Sequence, residues 1–332
     1  MKTKPEEKTQ IILSQLKDGQ NLPLVIRPAV DSFNLTEWAT NNREWIDQKL
    51  IQHGGILFRD CNVGNMQSFE SFTSSISSGL ENYTERSTPR SEVQGKVYTS
   101  TEYPADQYIP LHNEMSYAFS WPKKIWFYSI KVAESGGETP IADSREVLKK
   151  LDPAIVEKFA RKKIMYVRNY MPGLDLPWEV VFQTKDKQVV EDYCHKTNMT
   201  WEWKADGSLK TVAIRDALAK HPITGELLWF NQAHLFHVTS LPNNVWEQLI
   251  IGLGEENLPR NTYYGDGTPI EPEVLMQIRN SFDEAAISFP WKEGDVLMLD
   301  NHLVAHGRAP FQGTRKVVVT MADLTNERNL GE

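Results

Sequence analysis

Apolar and polar positions change rhythm near residue 95. Before that point, LPLVIRP and GILFRD are short and nearly continuous in apolar character. Between them Trp38, Ile46, Leu50 and Ile51 fall near one helical face. The pattern predicts a strand, then a helix from Glu37 to about His53 capped by Thr36 and stopped by Gly54-Gly55. A second buried strand and a helix over NMQSFESFTSSIS follow. Ahead of these lies a polar lead-in over residues 1–20 with a short amphipathic piece from Ile11 to Leu16. This opening is α/β.

Beyond residue 95, short extended runs succeed one another with turn signals between them: KVYTST, YIPLHNEMSY, KKIWFYSIKV, TPIAD and KIMYVRNY, and later VLMLDN and GTRKVVVTMA. Helices are predicted at DPAIVEKFARKK, where Asp152 precedes Pro153, at KQVVEDYCHKT and at EPEVLMQIRNSFDEA. Asp206-Gly207, between two alternating runs, marks a hairpin. No internal repeat, low-complexity segment or Pro/Gly/Ser-rich linker divides the chain. The expectation is one domain over residues 1–332, mainly β with surrounding helices: an α/β elaboration over 1–94, then a jelly-roll core over 95–325 with a large insertion around 145–225.

Composition narrows the classes. With 332 residues, 40% hydrophobic and 24% charged, the chain can bury a sizeable core without disulfide staples. A formal charge of −8 argues against a general nucleic-acid or anionic-membrane role. The two cysteines, Cys61 and Cys194, are too far apart for a zinc pattern or a redox pair. MKTKPEEKTQ has no apolar core of a signal peptide, and no run approaches the roughly 18 apolar residues of a membrane span. A cytoplasmic address is expected.

Candidate chemistry lies among the eight histidines. His53, His195 and His221 read as surface or satisfied core histidines. His112-Asn113-Glu114 lies within an extended run, where alternation places His112 and Glu114 on one face, both able to reach one metal ion. GDVLMLDNHLVAHGRAPF offers His302 or His306 as a third ligand. Two histidines and one carboxylate on one face of an octahedral ion form the facial triad of non-haem Fe(II) oxygenases, with three positions left open. Thr139 in ESGGETPIAD and Arg315 in FQGTRKVVV can together grip a carboxylate, the arginine bidentately. Such a clamp suits the far carboxylate of 2-oxoglutarate, whose other end would chelate the iron and leave a place for O2. Asn231, Gln232, His234 and His237 form a polar cluster in an apolar stretch, readable as backbone-bonded core groups or as substrate contacts. Arg308 fits a structural ion pair or a substrate carboxylate, and Glu102 and Tyr103 are further pocket candidates.

LHNEMSY, GGETPIAD, WFNQAHLFH, GDVLMLDNHLVAHGR and GTRKVVV, spread over about residues 95–325, resemble the taurine dioxygenase/clavaminate synthase-like superfamily of Fe(II)/2-oxoglutarate-dependent oxygenases. The resemblance implies a double-stranded β-helix core. It makes His112, Glu114 and His306 the iron ligands, Thr139 and Arg315 the 2-oxoglutarate clamp, and O2 the second cosubstrate. Many members carry Asp where this chain has Glu114. The Glu form is similar to the clavaminate synthase-like branch and to syringomycin-type amino-acid β-hydroxylases. Val319 stands where taurine dioxygenases carry a second, sulfonate-gripping arginine. The resemblance therefore implies hydroxylation of an unactivated C–H bond of an amino acid or derivative in secondary metabolism, the substrate free or presented by a separate carrier protein. Desaturation or cyclisation, or a non-catalytic metal-binding jelly roll, are the alternatives.

Overall fold

The computed structural model describes residues 10–81, 92–94, 96–99 and 103–326. Its largest element is an eight-stranded sheet. In spatial order the strands are Ile11–Ser14, Leu24–Pro28, Gly55–Phe58, Val296–Asp300, Ser120–Lys131, Lys316–Asn326, Val97–Thr99 and Glu92–Gln94. Only the pair Leu24–Pro28 and Gly55–Phe58 runs parallel. A smaller antiparallel sheet has the order Ala286–Ile287, Ile141–Asp143, Val304–Arg308, Ile109–His112. Side chains of both sheets share one core: Leu57, Phe127, Leu297 and Val319 from the larger, Leu111, Ile141, Val304 and Ala305 from the smaller. This is the jelly roll expected from the strand pattern.

The far face of the large sheet is also covered. Ile56, Phe58, Trp126, Tyr128, Met298 and Val318 pack against Trp38, Ile46, Leu50, Phe69 and Phe72 from the N-terminal helices. Burial on both faces explains why VLMLD and GILF are continuous in apolar residues instead of alternating. Residues 10–58 thus extend the large sheet by three strands and roof it with helices.

Two local expectations change here. The piece at Ile11 is an edge strand paired with Leu24–Pro28. The helix expected from Glu37 to His53 is two helices, Leu35–Asn41 and Arg43–His53, broken at Asn42 (φ −119°, ψ 22°). Asn42 donates its side-chain amide to the Trp38 carbonyl instead of continuing the helix. The cap of the first helix is Asn34, whose Oδ1 accepts from Glu37 N–H at 3.1 Å, and not Thr36, which lies inside the helix. The helices Pro153–Lys162, capped by Asp152, Lys187–Lys196 and Pro272–Ala285 form where the pattern put them.

Between Asp143 and Ala286 the chain leaves the jelly roll. It builds a second antiparallel sheet, ordered Met199–Trp203, Leu209–Arg215, Ile164–Tyr170, Arg260–Tyr264, with a small core of its own around Tyr170, Trp178, Val190 and Leu209. The last strand lies well past residue 225, because Ile164–Tyr170 needs a partner on each side. Among the described residues, no helix is long and apolar enough to cross a membrane.

Arg59 ties the end of Gly55–Phe58 to the entry of Val296–Asp300. Its Nε and Nη2 donate to Asp295 at 3.0 and 2.6 Å, and Nη2 also donates to the Pro290 carbonyl. Both side chains are buried. Removing one partner strands the other charge in the core, so Arg59→Ala is expected to lower the unfolding free energy by about 3–5 kcal/mol. Urea unfolding measures this, and a loss no larger than that of a surface arginine would contradict it.

Candidate functional site

The antiparallel pairing of Ile109–His112 with Val304–Arg308 sets His112 directly opposite His306. Their ring centroids lie 4.6 Å apart. His112 Nδ1 is 2.8 Å from the Pro110 carbonyl, so that nitrogen carries the proton and donates, leaving Nε2 with its lone pair outward. Glu114 arrives by a different route from the one expected. The strand ends at His112, and Glu114 sits in the turn that follows, with Met115 in the left-handed region at φ 58°. The turn, not pleat alternation, swings the carboxylate back. Ligand atoms of His112, Glu114 and His306 lie within 4.8 Å of one another, with Glu114 Oε2 3.5 Å from His306 Nε2. Two ligands at right angles on an ion about 2.1 Å from each stand about 3 Å apart, so this imidazole–carboxylate–imidazole set fits one divalent cation.

The turn carrying Glu114 is braced by three side chains that pattern and spacing did not single out for this task. Asn301 brackets the backbone of Glu114, Asn113 donates to the Asn301 carbonyl at 2.7 Å, and Gln232 donates to the Asn113 carbonyl at 2.8 Å.

His302 is not part of this cluster. It lies in the turn between Val296–Asp300 and Val304–Arg308, not on a helix shared with His306. Its Nε2 accepts from Trp121 Nε1 at 2.8 Å. Beside it, His221 Nε2 donates to Asp300 Oδ2 at 3.1 Å, and His221 Nδ1 accepts from Thr224 N–H. Asp300 Oδ1 accepts from the backbone N–H groups of His302 and Leu303. Burial pushes the His302 pKa down to about 4 against the pull of Asp300. His221, Asp300 and His302 have the composition of a metal site. Each ring's acceptor nitrogen already receives an N–H, however, so the group is a closed hydrogen-bond network.

Thr139 and Arg315 meet at one end of the jelly roll. Arg315 Nε donates to the Gly137 carbonyl at 2.7 Å and Nη2 to Thr139 Oγ1 at 3.4 Å, while Trp291 Nε1 donates to the same hydroxyl oxygen at 3.2 Å. Gly137 (φ 77°) permits the approach, because a Cβ there would stand 2.9 Å from Arg315 Cδ. A cavity of about 180 Å³ opens here, lined by Ser129, Lys131, Gly137, Trp291, Arg315 and Val317. Burial, then repulsion from Arg308, lowers the Arg315 pKa to about 10, which still leaves it cationic at neutral pH. Phe127, two residues from Ser129 on the same strand face, stands 5.0 Å ring to ring from His306. One strand therefore runs from the histidine cluster to this cavity, whose lining carries Lys131 and Arg315 together with Glu134 and Glu138.

The remaining candidates are committed elsewhere. Asn231 donates to the Ala217 carbonyl and accepts from Ala233 N–H. His234 donates from Nε2 to the Leu111 carbonyl and stacks on Phe282, and burial drives its pKa to about 3. These two are backbone-bonded core groups. Arg308 makes no ion pair among the described residues; it donates to the carbonyls of Tyr103, Pro104 and Gln107 and so pins that loop. Tyr103 is substantially exposed. Glu102 lies outside the described residues.

Residues 18–321 match the family described as "Taurine catabolism dioxygenase TauD, TfdA family". The chain is 44% identical over 278 residues to the dapdiamide synthesis protein DdaC of Enterobacter agglomerans, covering 84% of each. It is 28% identical over 305 residues to a clavaminate synthase-like protein of Arabidopsis thaliana, covering 89% of each. Among solved structures it resembles PvcB of Pseudomonas aeruginosa, with a TM-score of 0.56 at 16% identity over 94% of this chain and 91% of that one. PvcB is described as an Fe, alpha-ketoglutarate dependent oxygenase from an isonitrile synthetic pathway. At that identity the likeness is one of fold.

The geometry separates the two rival histidines. His306→Ala is expected to weaken Mn(II) binding by more than the ~10- to 100-fold typical of losing an outer partner of a ligand. His302→Ala should leave binding near wild type while lowering thermal stability. Calorimetric titration of both variants decides, and the reverse result would move the ligand assignment to His302.

Proposed function

The chain belongs to the TauD/TfdA family of Fe(II)- and 2-oxoglutarate-dependent dioxygenases, and from that premise we propose that it hydroxylates an amino acid or amino-acid derivative, free or carrier-bound, in secondary metabolism. In this reading His112, Glu114 and His306 hold the iron, and Thr139 and Arg315 hold the distal carboxylate of 2-oxoglutarate. The observation that carries it is the convergence of the three ligand atoms within 4.8 Å, beside a strand whose Phe127 packs on His306 and whose Ser129 and Lys131 line the cavity that Arg315 enters.

Iron, when bound, couples O2 activation to oxidative decarboxylation of 2-oxoglutarate. The protein does the rest by placement. Arg315 supplies charge and direction to the cosubstrate carboxylate. Trp291 and Arg315 both donate to Thr139 Oγ1, which leaves the threonine proton to point at an incoming anion. Leu111, Phe127 and Val319 keep the interior apolar. Glu114 fills the third protein position with an anionic oxygen, which disfavours a halide there.

Two observations support the substrate class. Val319 is fully buried between Tyr98 and Phe127, so no cation stands at that position to grip a sulfonate. DdaC is named for dapdiamide synthesis, and PvcB is described from a biosynthetic pathway.

Arg315→Ala is expected to raise the 2-oxoglutarate requirement about 10- to 150-fold, equivalent to about 1.5–3 kcal/mol for a charge-assisted contact. The iron requirement should barely move. Succinate release against 2-oxoglutarate concentration measures this, and an unchanged dependence removes Arg315 from the clamp.

With amino-acid-derived substrates in high chloride, the product is expected to gain one oxygen that carries label from ¹⁸O₂. Mass spectrometry reads the outcome. A product that gains chlorine, or loses two hydrogens without gaining oxygen, would overturn the hydroxylase assignment.

A further inference from the structure

Two buried asparagines join the turn that carries Glu114 to the turn that precedes His306. Asn301 uses both ends of its carboxamide on residue 114. Its Oδ1 accepts from Glu114 N–H at 2.7 Å, and its Nδ2 donates to the Glu114 carbonyl at 2.9 Å and to the Pro122 carbonyl at 2.9 Å. A carboxamide presents an acceptor and a donor side by side, matching the N–H and C=O of one residue as a neighbouring strand would. Asn113 answers in the other direction, donating from Nδ2 to the Asn301 carbonyl at 2.7 Å and to Ser144 Oγ at 3.1 Å. Both asparagines are 0% exposed.

The grip falls on the backbone of Glu114, not on its carboxylate. Glutamate has one more rotatable bond than aspartate between backbone and oxygens. Its ligand atoms therefore stay in place only when the backbone end is fixed, and each freed torsion would add an entropic penalty to binding. The turn also holds Met115 at a positive φ, a conformation that persists in a non-glycine residue only where the surroundings over-determine it.

We propose that Asn301 and Asn113 form a clasp that positions Glu114 and couples it to the strand bearing His306. Asn301 is a positioning residue: it acts through Glu114. The clasp rests on the reading of Glu114 as a metal ligand.

The test titrates metal-free protein with Mn(II) and follows thermal unfolding of the same samples. Asn169→Ala is the control, because Asn169, on the second-sheet strand Ile164–Tyr170, is also buried and donates to two carbonyls, those of Glu256 and Leu258. Asn301→Ala is expected to lose about 10- to 100-fold in Mn(II) affinity. Asn169→Ala should lose stability and keep its affinity. In a Glu114→Ala background, Asn301→Ala should add no further loss, as expected when one residue acts through another. If Asn301→Ala does not fold, Asn301→Asp carries the test: it keeps the volume and the acceptor but offers no donor to the carbonyls of Glu114 and Pro122. Affinity in the Asn301 variant no weaker than in Asn169→Ala overturns the clasp while leaving the ligand reading intact. Unchanged affinity in Glu114→Ala overturns the ligand reading, and the clasp with it.

Discussion

The site depends on one antiparallel register, His112 opposite His306. A slip of one residue would send one imidazole to the other face of the small sheet and leave the two histidines unable to share an ion. The register is secured close at hand. Pairing shifts between His306 and Arg308, and Gly307 lies at that irregularity, where a Cβ would stand 2.6 Å from the Ile109 carbonyl. Only glycine lets the strands close there. Beyond it, Arg308 pins the 103–107 loop that leads into His112. Glycine, bulge and guanidinium together fix both histidines before any ligand arrives.

The rest of the molecule supports this pairing from outside. The large sheet is buried on both faces and gives the small sheet a rigid apolar partner. The excursion between Asp143 and Ala286 reaches back to the centre through Gln232, whose side chain donates to the Asn113 carbonyl and whose N–H donates to Tyr166 Oη on the second sheet. The polar groups nearest the centre are thus held by core hydrogen bonds.

Much of the candidate site was legible in the chain because such a site needs particular side chains. An imidazole and a carboxylate two residues apart, a distant second imidazole, a threonine beside two glycines and an arginine beyond the last histidine have few substitutes. The geometry behind them was less visible. Glu114 was expected on a strand face and lies in a turn, since nothing local marks Met115 for a positive φ. Asn301 reads as an ordinary loop residue, because its partners lie far away in sequence. Asn34 and Thr36 are both residue types that suit a cap, and only packing decides where the first turn starts. The second sheet's last strand, Arg260–Tyr264, has no nearby partner in sequence, so the insertion looked shorter than it is.

The excursion leaves and re-enters the jelly roll at adjacent points: Ala142 pairs directly with Ala286. A segment whose ends are already side by side can change length at little loop-closure cost. The fold therefore separates two duties along the chain. The strands on either side of the excursion hold His112 and His306 in a fixed register. The segment between Asp143 and Ala286 can lengthen or shorten while that register stays as it is.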